Sequence, residues 1–210
     1  MVQTQTLGAI FWDGHRASDL RLFFVGLFFA DFLRWISKNK TVVLKTFKEA
    51  VSEGEVIVNA LQGAITISAI QTCKASDFEN KIIIDIANPL DFSQGFPPSL
   101  LPNLQNTNSL GEELQKVVPN AKVVKTLNTM WCGLMVNPKM LNNGDHQNFI
   151  RGNNSEAKAK VMEILLSFGW TKDNVLDLGI LKMLVGQNQL YLFGQEYMVQ
   201  HKAEHSILKL

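Results

Sequence analysis

The sequence predicts an α/β fold in which a mostly parallel sheet carries helices on both faces. One observation is that continuous apolar runs such as residues 55–61 and 81–87 recur along the chain. Runs of this kind are typical of parallel strands that are buried on both faces. The second observation is that helical segments alternate with these runs, which favours right-handed crossovers and a doubly wound sheet.

The regular pattern begins with a β-branched run at residues 41–44, which predicts a short strand. Thr46 then caps a helix that ends at Gly54, where glycine is expected in a left-handed conformation. Ser109 and Glu112 have the spacing of a capping box and begin a later helix. The other predicted elements are a helix at 64–75, a loop at 92–108, strands at 122–127, 146–150 and 175–178, and an amphipathic helix at 155–169.

Length and composition exclude several classes of protein. The 210 residues suit one domain or at most two small ones. A formal net charge of +1 argues against nucleic acid as a partner, because no basic surface is available to neutralise phosphates. Cys73 and Cys132 have neither metal-ligand nor redox-motif spacing, so we expect no metal site.

The first 32 residues contain six of the 13 phenylalanines. The longest apolar run there, residues 22–30, is shorter than the roughly 20 residues that span a bilayer. Asp13 and Asp19 precede it, which does not fit a signal peptide. We therefore expect a cytoplasmic protein with no membrane partner. A membrane-surface role for residues 23–32 is the alternative, which vesicle co-sedimentation would test.

Polar residues follow three successive predicted strands. They are Gln62–Gly63, Asn88–Pro89 and Asn128–Thr129. Each alone is explained as a turn former, but doubly wound sheets bind ligands beyond the carboxyl ends of their strands. Together these residues predict a ligand site at one edge of the sheet.

Four segments carry a family resemblance. They read TFKEAVSEGEVIVNALQG, KIIIDIANPLDFSQGFPPSL, SLGEELQKVVPNAKVVKTLNTM and FIRGNNSEAKAKVMEILLSFGW. In this order they resemble the NADP-dependent oxidoreductase family of the coenzyme F-420 (deazaflavin) reductase type, over residues 35–179. The resemblance implies a Rossmann-like domain that moves a hydride between NADP(H) and a small-molecule or deazaflavin partner, and a homodimer is compatible with it.

The resemblance also implies which residues bind the cofactor. Carried over one by one, they are Ala60, Leu61 and Gln62 after one strand, Asn88 and Pro89 after the next, and Asn128 and Thr129 after the third. Hydride transfer depends on proximity and orientation, and the cofactor supplies the chemistry. No residue is therefore assigned as a catalytic acid or base.

The two ends of the chain depart from the family. The first strand and the glycine-rich turn are missing, because no two glycines lie two residues apart. The predicted organisation is a Phe-rich head at 1–34, an incomplete NAD(P)-binding domain at 35–179 and an atypical tail at 180–210. We expect weak NADP(H) binding, and the alternative is a non-catalytic Rossmann-like remnant or interaction module.

Loss of the first strand would leave open edges beside the strands at 56–61 and 82–87. A helix formed by the Phe-rich head is one way to cover this gap.

The tail suggests a frame-shifted stretch of a family gene. Reading its back-translation one nucleotide upstream permits DIKNARGTE across residues 180–188 and FNIKI across 206–210, which are typical family endings. Sequencing the coding DNA tests this hypothesis. The motif H-x-x-E-H at 201–205 fits a zinc-protease pattern but is interpreted as accidental. His15 and His146 are predicted to be surface or turn residues.

Overall fold

The computed structural model describes residues 7–13, 21–27, 38 and 42–183. The strands are β1 (Leu7–Asp13), β2 (Arg21–Leu27), β3 (Val42–Thr46), β4 (Val56–Asn59), β5 (Ile82–Asp85), β6 (Leu90–Asp91), β7 (Ser99–Leu100), β8 (Lys122–Thr126), β9 (Asn148–Gly152) and β10 (Val175–Asp177). The α-helices are α1 (Phe47–Glu53), α2 (Gly63–Ile70), α3 (Leu110–Val117), α4 (Cys132–Met135) and α5 (Ser155–Ser167).

Eight of these strands form one sheet in the order β10-β9-β8-β5-β4-β2-β1-β3. Strands β2, β4, β5 and β8 are parallel neighbours at its centre. β9 runs antiparallel to β8, β10 is parallel to β9, and β1 is antiparallel to both β2 and β3. The predicted α/β class with a mostly parallel, Rossmann-like sheet is confirmed.

The core lies on both faces of the sheet, which explains why the strand sequences are continuously apolar. One cluster packs α1, α2 and α3 against the sheet, and the other packs α5 against it. Successive strand residues alternate between the two clusters, with Ile57, Ile83 and Val123 in the first and Val58, Ile84 and Val124 in the second.

The start of α1 agrees with the prediction from the sequence, whereas its end does not. The Thr46 hydroxyl accepts a hydrogen bond from the Glu49 N–H at 3.3 Å, and the Glu49 carboxylate accepts one from the Thr46 N–H at 2.9 Å. Gly54 has a φ of −73°, so the predicted left-handed ending is wrong. Its N–H donates to the Ala50 carbonyl while its backbone is extended, because the chain runs directly into β4.

Two other segments differ from the prediction. The helix predicted over 64–75 ends at Ile70, and a short 3-10 helix at Ala75–Phe78 buries the Phe78 ring completely. The predicted loop at 92–108 contains β7, which pairs with β6 as a small antiparallel hairpin. At the start of α3, Ser109 accepts from the Glu112 N–H at 3.2 Å, as predicted.

The Phe-rich head contributes strands to the main sheet. β2 lies parallel to β4, with Phe23 opposite Ile57 and Phe24 opposite Val58. The place predicted to lack a strand is therefore filled, and the expected open edge beside β4 is paired. The described head residues are strands and not a covering helix, which agrees with the high β-propensity of phenylalanine and valine.

His146 lies in the bend before β9 and is buried, so the structure contradicts its prediction as a surface residue and not its prediction as a turn residue. Its side chain is 3% exposed, and its Nε2 lies 2.9 Å from the Pro138 carbonyl. The ring stands edge-on to Trp170, with centroids 4.9 Å apart. His15, residues 201–205 and the tail beyond residue 183 lie outside the described residues.

Candidate functional site

The polar segments predicted as a site lie at one edge of the sheet. Strands β4, β5 and β8 are adjacent and parallel, with Asn59 opposite Asp85 and Asp85 opposite Lys125. The turns after these three strands therefore share the carboxyl edge, where doubly wound folds bind ligands. The structure brings Gln62–Gly63, Asn88–Pro89 and Asn128–Thr129 together there.

Asn88 and Asn128 join two of these turns by a reciprocal pair of hydrogen bonds. The Asn88 Nδ2 donates to the Asn128 carbonyl at 2.6 Å, and the Asn128 Nδ2 donates to the Asn88 Oδ1 at 2.9 Å. Asn128 is fully buried, whereas Asn88 is half-buried. We call these two residues the asparagine pair. It fixes the turn after β5 to the turn after β8.

The turn after β4 packs directly on the turn after β5 at Gly63. A Cβ atom at this position would lie 2.2 Å from the Asn88 carbonyl oxygen and 2.7 Å from the Pro89 Cα. No side chain fits such a distance without moving the backbone. The Pro89 carbonyl accepts from the Leu101 N–H at 2.9 Å, which ties the same turn to the segment after β7.

The remaining predicted site residues differ in how far their side chains are exposed to solvent. Ala60 and Gln62 are exposed, and Thr129 is half-buried. Leu61 is 3% exposed and belongs to the core cluster with Ile57, so only its main chain lies at the edge. A ligand at this edge would meet the side chains of the exposed residues.

A buried polar row that was not predicted from the sequence lies under the site. Asn59, Asp85 and Lys125 are each 0–1% exposed. The Asn59 Nδ2 donates to the Asp85 Oδ1 at 2.7 Å, and the Lys125 Nζ donates to the Asp85 Oδ2 at 2.9 Å. Burial lowers the pKa of the Lys125 ammonium, and the Asp85 carboxylate opposes this shift. The signal in the sequence was a polar residue at the last or next-to-last position of each apolar strand.

The buried row also holds the turns above it. The Asn59 Oδ1 accepts from the Leu61 N–H at 3.3 Å, and the Asp85 Oδ1 accepts from the Ala87 N–H at 3.2 Å. Lys125 donates to the Ala87 carbonyl. Because these bonds are made to backbone groups, the row fixes the main chain that leads into Gln62 and Asn88.

Exposed aromatic side chains follow the same turns in sequence. Phe92 and Phe96 in the β6–β7 hairpin are 54% and 64% exposed, and Trp131 after Thr129 is 44% exposed. Exposed rings of this size offer apolar contact to a flat ligand.

The described ranges offer no other obvious chemistry. In them, no group of three or more His, Cys, Asp or Glu side chains is placed to hold a metal ion. None of the helices in these ranges has the length and apolar character needed to cross a bilayer.

Comparison with known proteins gives matches only among solved structures. No family model and no curated protein matches the chain. A candidate F420-dependent NADP reductase from Arthrobacter sp. FB24 is 40% identical, over 86% of this chain and 80% of that chain, with a TM-score of 0.80. A protein without an assigned function from Sinorhizobium meliloti is 25% identical, over 74% of this chain and 71% of that chain, with a TM-score of 0.58.

An imine reductase from a Pseudomonas species shares the fold at 13% identity, over 85% of this chain and 54% of its own, with a TM-score of 0.56. The sheet order and the converging turns therefore define a Rossmann-type α/β protein. Within that class, the chain belongs to the NADP-dependent oxidoreductase family of the F420-reductase type, as the sequence resemblance implied.

Proposed function

We propose that the chain is an NADP(H)-dependent oxidoreductase with weak affinity for its cofactor. The observation that carries the proposal is the asparagine pair at the shared edge of β4, β5 and β8, in a chain 40% identical to a candidate NADP reductase. The second substrate is a small molecule or a deazaflavin. The exposed rings of Phe92, Phe96 and Trp131 support a flat, partly apolar substrate.

The family resemblance assigns the residues of this edge to the nicotinamide end of the cofactor. NADP(H) would supply the hydride chemistry when bound, so the protein has to orient two reactants and exclude water. Ala60 and Gln62 would contact it after β4, and Asn88, Pro89, Asn128 and Thr129 would line the neighbouring turns. The buried row and the asparagine pair keep these turns in place before a ligand arrives, which reduces the entropy lost on binding.

The sequence after β2 does not offer the usual anchor for the pyrophosphate. β2 lies beside β4, where Rossmann proteins place the strand that leads into a glycine-rich turn. Here the sequence continues with Phe28, Phe29, Ala30 and Asp31 and lacks glycine. A carboxylate in this stretch adds repulsion for phosphate groups. We therefore expect NADPH to bind more weakly than a dissociation constant of about 10 μM.

Isothermal titration with NADPH and NADH tests the proposal. We expect weak binding of NADPH that is reduced by Asn128→Ala. Asn174→Ala is the matched control, because the Asn174 side-chain amide also donates a hydrogen bond, in its case to the Gly144 carbonyl outside the candidate site. A dissociation constant in the low micromolar range would contradict the expectation that NADPH binds weakly. Hydride transfer is then followed by loss of NADPH absorbance with a deazaflavin and with small imines as acceptors.

The missing glycine-rich turn favours one other function, that of a non-catalytic Rossmann-like remnant or interaction module. If the chain is such a remnant or module, we expect no saturable NADPH binding even at millimolar concentration and no hydride transfer to any acceptor. The same titration therefore separates the two functions.

A further inference from the structure

Leu127 has a backbone conformation that a bulky residue rarely adopts. Its φ is +61°, in the left-handed region where the Cβ atom crowds the neighbouring carbonyl. The residue is 5% exposed and packs in the α5 cluster, directly before Asn128 of the asparagine pair. Strain of this kind persists only where surrounding groups hold it, and it concentrates at functional sites.

Asn148, the first residue of β9, provides such a group. Its side chain is fully buried, and its Oδ1 accepts three hydrogen bonds. The donors are the Leu127 N–H at 3.2 Å, the Thr126 hydroxyl at 3.3 Å and the Phe149 N–H at 2.9 Å. One oxygen atom thus ties the end of β8 to the start of β9 at the strained residue.

The amide nitrogen of the Asn148 side chain lies in an energetically unfavourable environment. Its Nδ2 is buried and has no hydrogen-bond partner within the described part of the chain. Burying an amide N–H without a partner opposes folding. The three hydrogen bonds that the Oδ1 accepts therefore explain why an asparagine is buried at this position.

We propose that Asn148 is a positioning residue for the candidate site. It holds Leu127 in the left-handed conformation, and Leu127 in turn sets the carbonyl and the side chain of Asn128 against Asn88. The effect on cofactor binding rests on the proposed function, whereas the effect on backbone conformation does not.

The direct test is the conformation of Leu127 in solution. A positive φ brings the amide and α protons of one residue close together and gives a strong intraresidue NOE. In Asn148→Ala we expect this NOE at Leu127 to weaken and the side-chain amide signals of Asn88 and Asn128 to shift. Asn148→Asp keeps the Oδ1 acceptor and replaces the unpartnered amide by a second buried oxygen, so we expect it to lose stability and to retain the strong NOE.

Asn154→Ala is the matched control. The Asn154 Oδ1 accepts from the Ala157 N–H at 2.8 Å at the start of α5, so the same kind of bond is lost away from the asparagine pair. We expect this variant to leave the Leu127 NOE unchanged. Unchanged NOE and amide signals in Asn148→Ala would overturn the proposal.

Leu127→Gly supplies a rescue, because glycine adopts positive φ without a penalty. In the parent, Asn148→Ala should weaken NADPH binding by about tenfold, the factor expected when a strained conformation loses its support. In the Leu127→Gly background the same change should have little effect, and equal losses in both backgrounds would overturn the proposal. If Asn148→Ala does not fold, the glycine background decides the proposal, because the same change should fold there once Leu127 no longer needs support, and failure to fold there as well would overturn it. If the parent binds no NADPH, the proposed function fails and the NOE measurement stands alone.

Discussion

Gly63 is the first residue of α2, and its Cα hydrogen faces the turn that follows β5. Gly63→Ala would place a methyl group 2.2 Å from the Asn88 carbonyl oxygen, which only a backbone shift can relieve. We expect a loss of about 2 kcal/mol in the free energy of unfolding, measured by urea denaturation, together with weaker NADPH binding. Gly179→Ala is the control for strain without a clash, because Gly179 has a φ of +91° and no atom within 4 Å of an added Cβ. NADPH affinity unchanged in Gly63→Ala would show that the two turns do not form one site.

Asp85 is the counter-ion of Lys125 inside the protein. Asp85→Asn would leave the Lys125 ammonium buried without its charge partner, which typically costs about 3–5 kcal/mol of stability. Replacing both residues, as Asp85→Leu with Lys125→Met, removes both charges and should cost less than the single change. Urea unfolding of the three proteins measures the difference. A double variant as unstable as Asp85→Asn would mean that the hydrogen bonds to Asn59 and Ala87 matter more than the charge.

Helix α1 has a cap that depends on pH. The side-chain hydrogen bond from Thr46 lowers the pKa of Glu49 below its ordinary value of 4.5. A carboxyl group whose pKa is lower in the folded state stabilises that state above pH 4.5, and the contribution is lost as the pH falls through the folded pKa. Glu49→Gln should therefore destabilise the protein at neutral pH, and the difference from the parent should shrink at a pH well below 4.5.

Thermal unfolding at both pH values measures this effect. Glu79→Gln, at an exposed position outside the cap of α1, is the control. A Glu49→Gln difference that stayed constant across the two pH values would indicate a loss of packing instead of a loss of charge.

Strand β2 is an interior strand, because it pairs with β1 on one side and β4 on the other. Val25→Pro would remove a backbone donor within this strand and should cost about 3 kcal/mol or more. Val25→Ala keeps the N–H and is expected to cost less. Denaturant unfolding of both variants tests whether the Phe-rich head belongs to the cooperative unit. A proline variant as stable as the parent would contradict the interior position of β2 between β1 and β4.

At the scale of the whole molecule, continuous apolar runs predicted the central strands, and the polar residues after them predicted the shared edge. The pairing of β2 with β4 could not be predicted in this way, because it joins residues separated by β3 and α1 and no glycine motif marks β2. The buried Asp85–Lys125 pair was missed because a charged residue at the end of a strand usually faces solvent. The left-handed Leu127 gave no signal in the sequence, since its conformation depends on a hydrogen bond that its N–H donates to the distant Asn148 side chain.

The central strands could also pair one residue out of alignment. A shift of one residue exchanges the two faces of a strand, and in this sheet both faces are apolar, so hydrophobic patterning discriminates weakly between the alternatives. The row Asn59–Asp85–Lys125 removes this ambiguity, because sliding any strand would set a buried charge against an aliphatic side chain. The three polar residues thus select one alignment of the central strands, at a position where hydrophobic burial alone would permit several alignments.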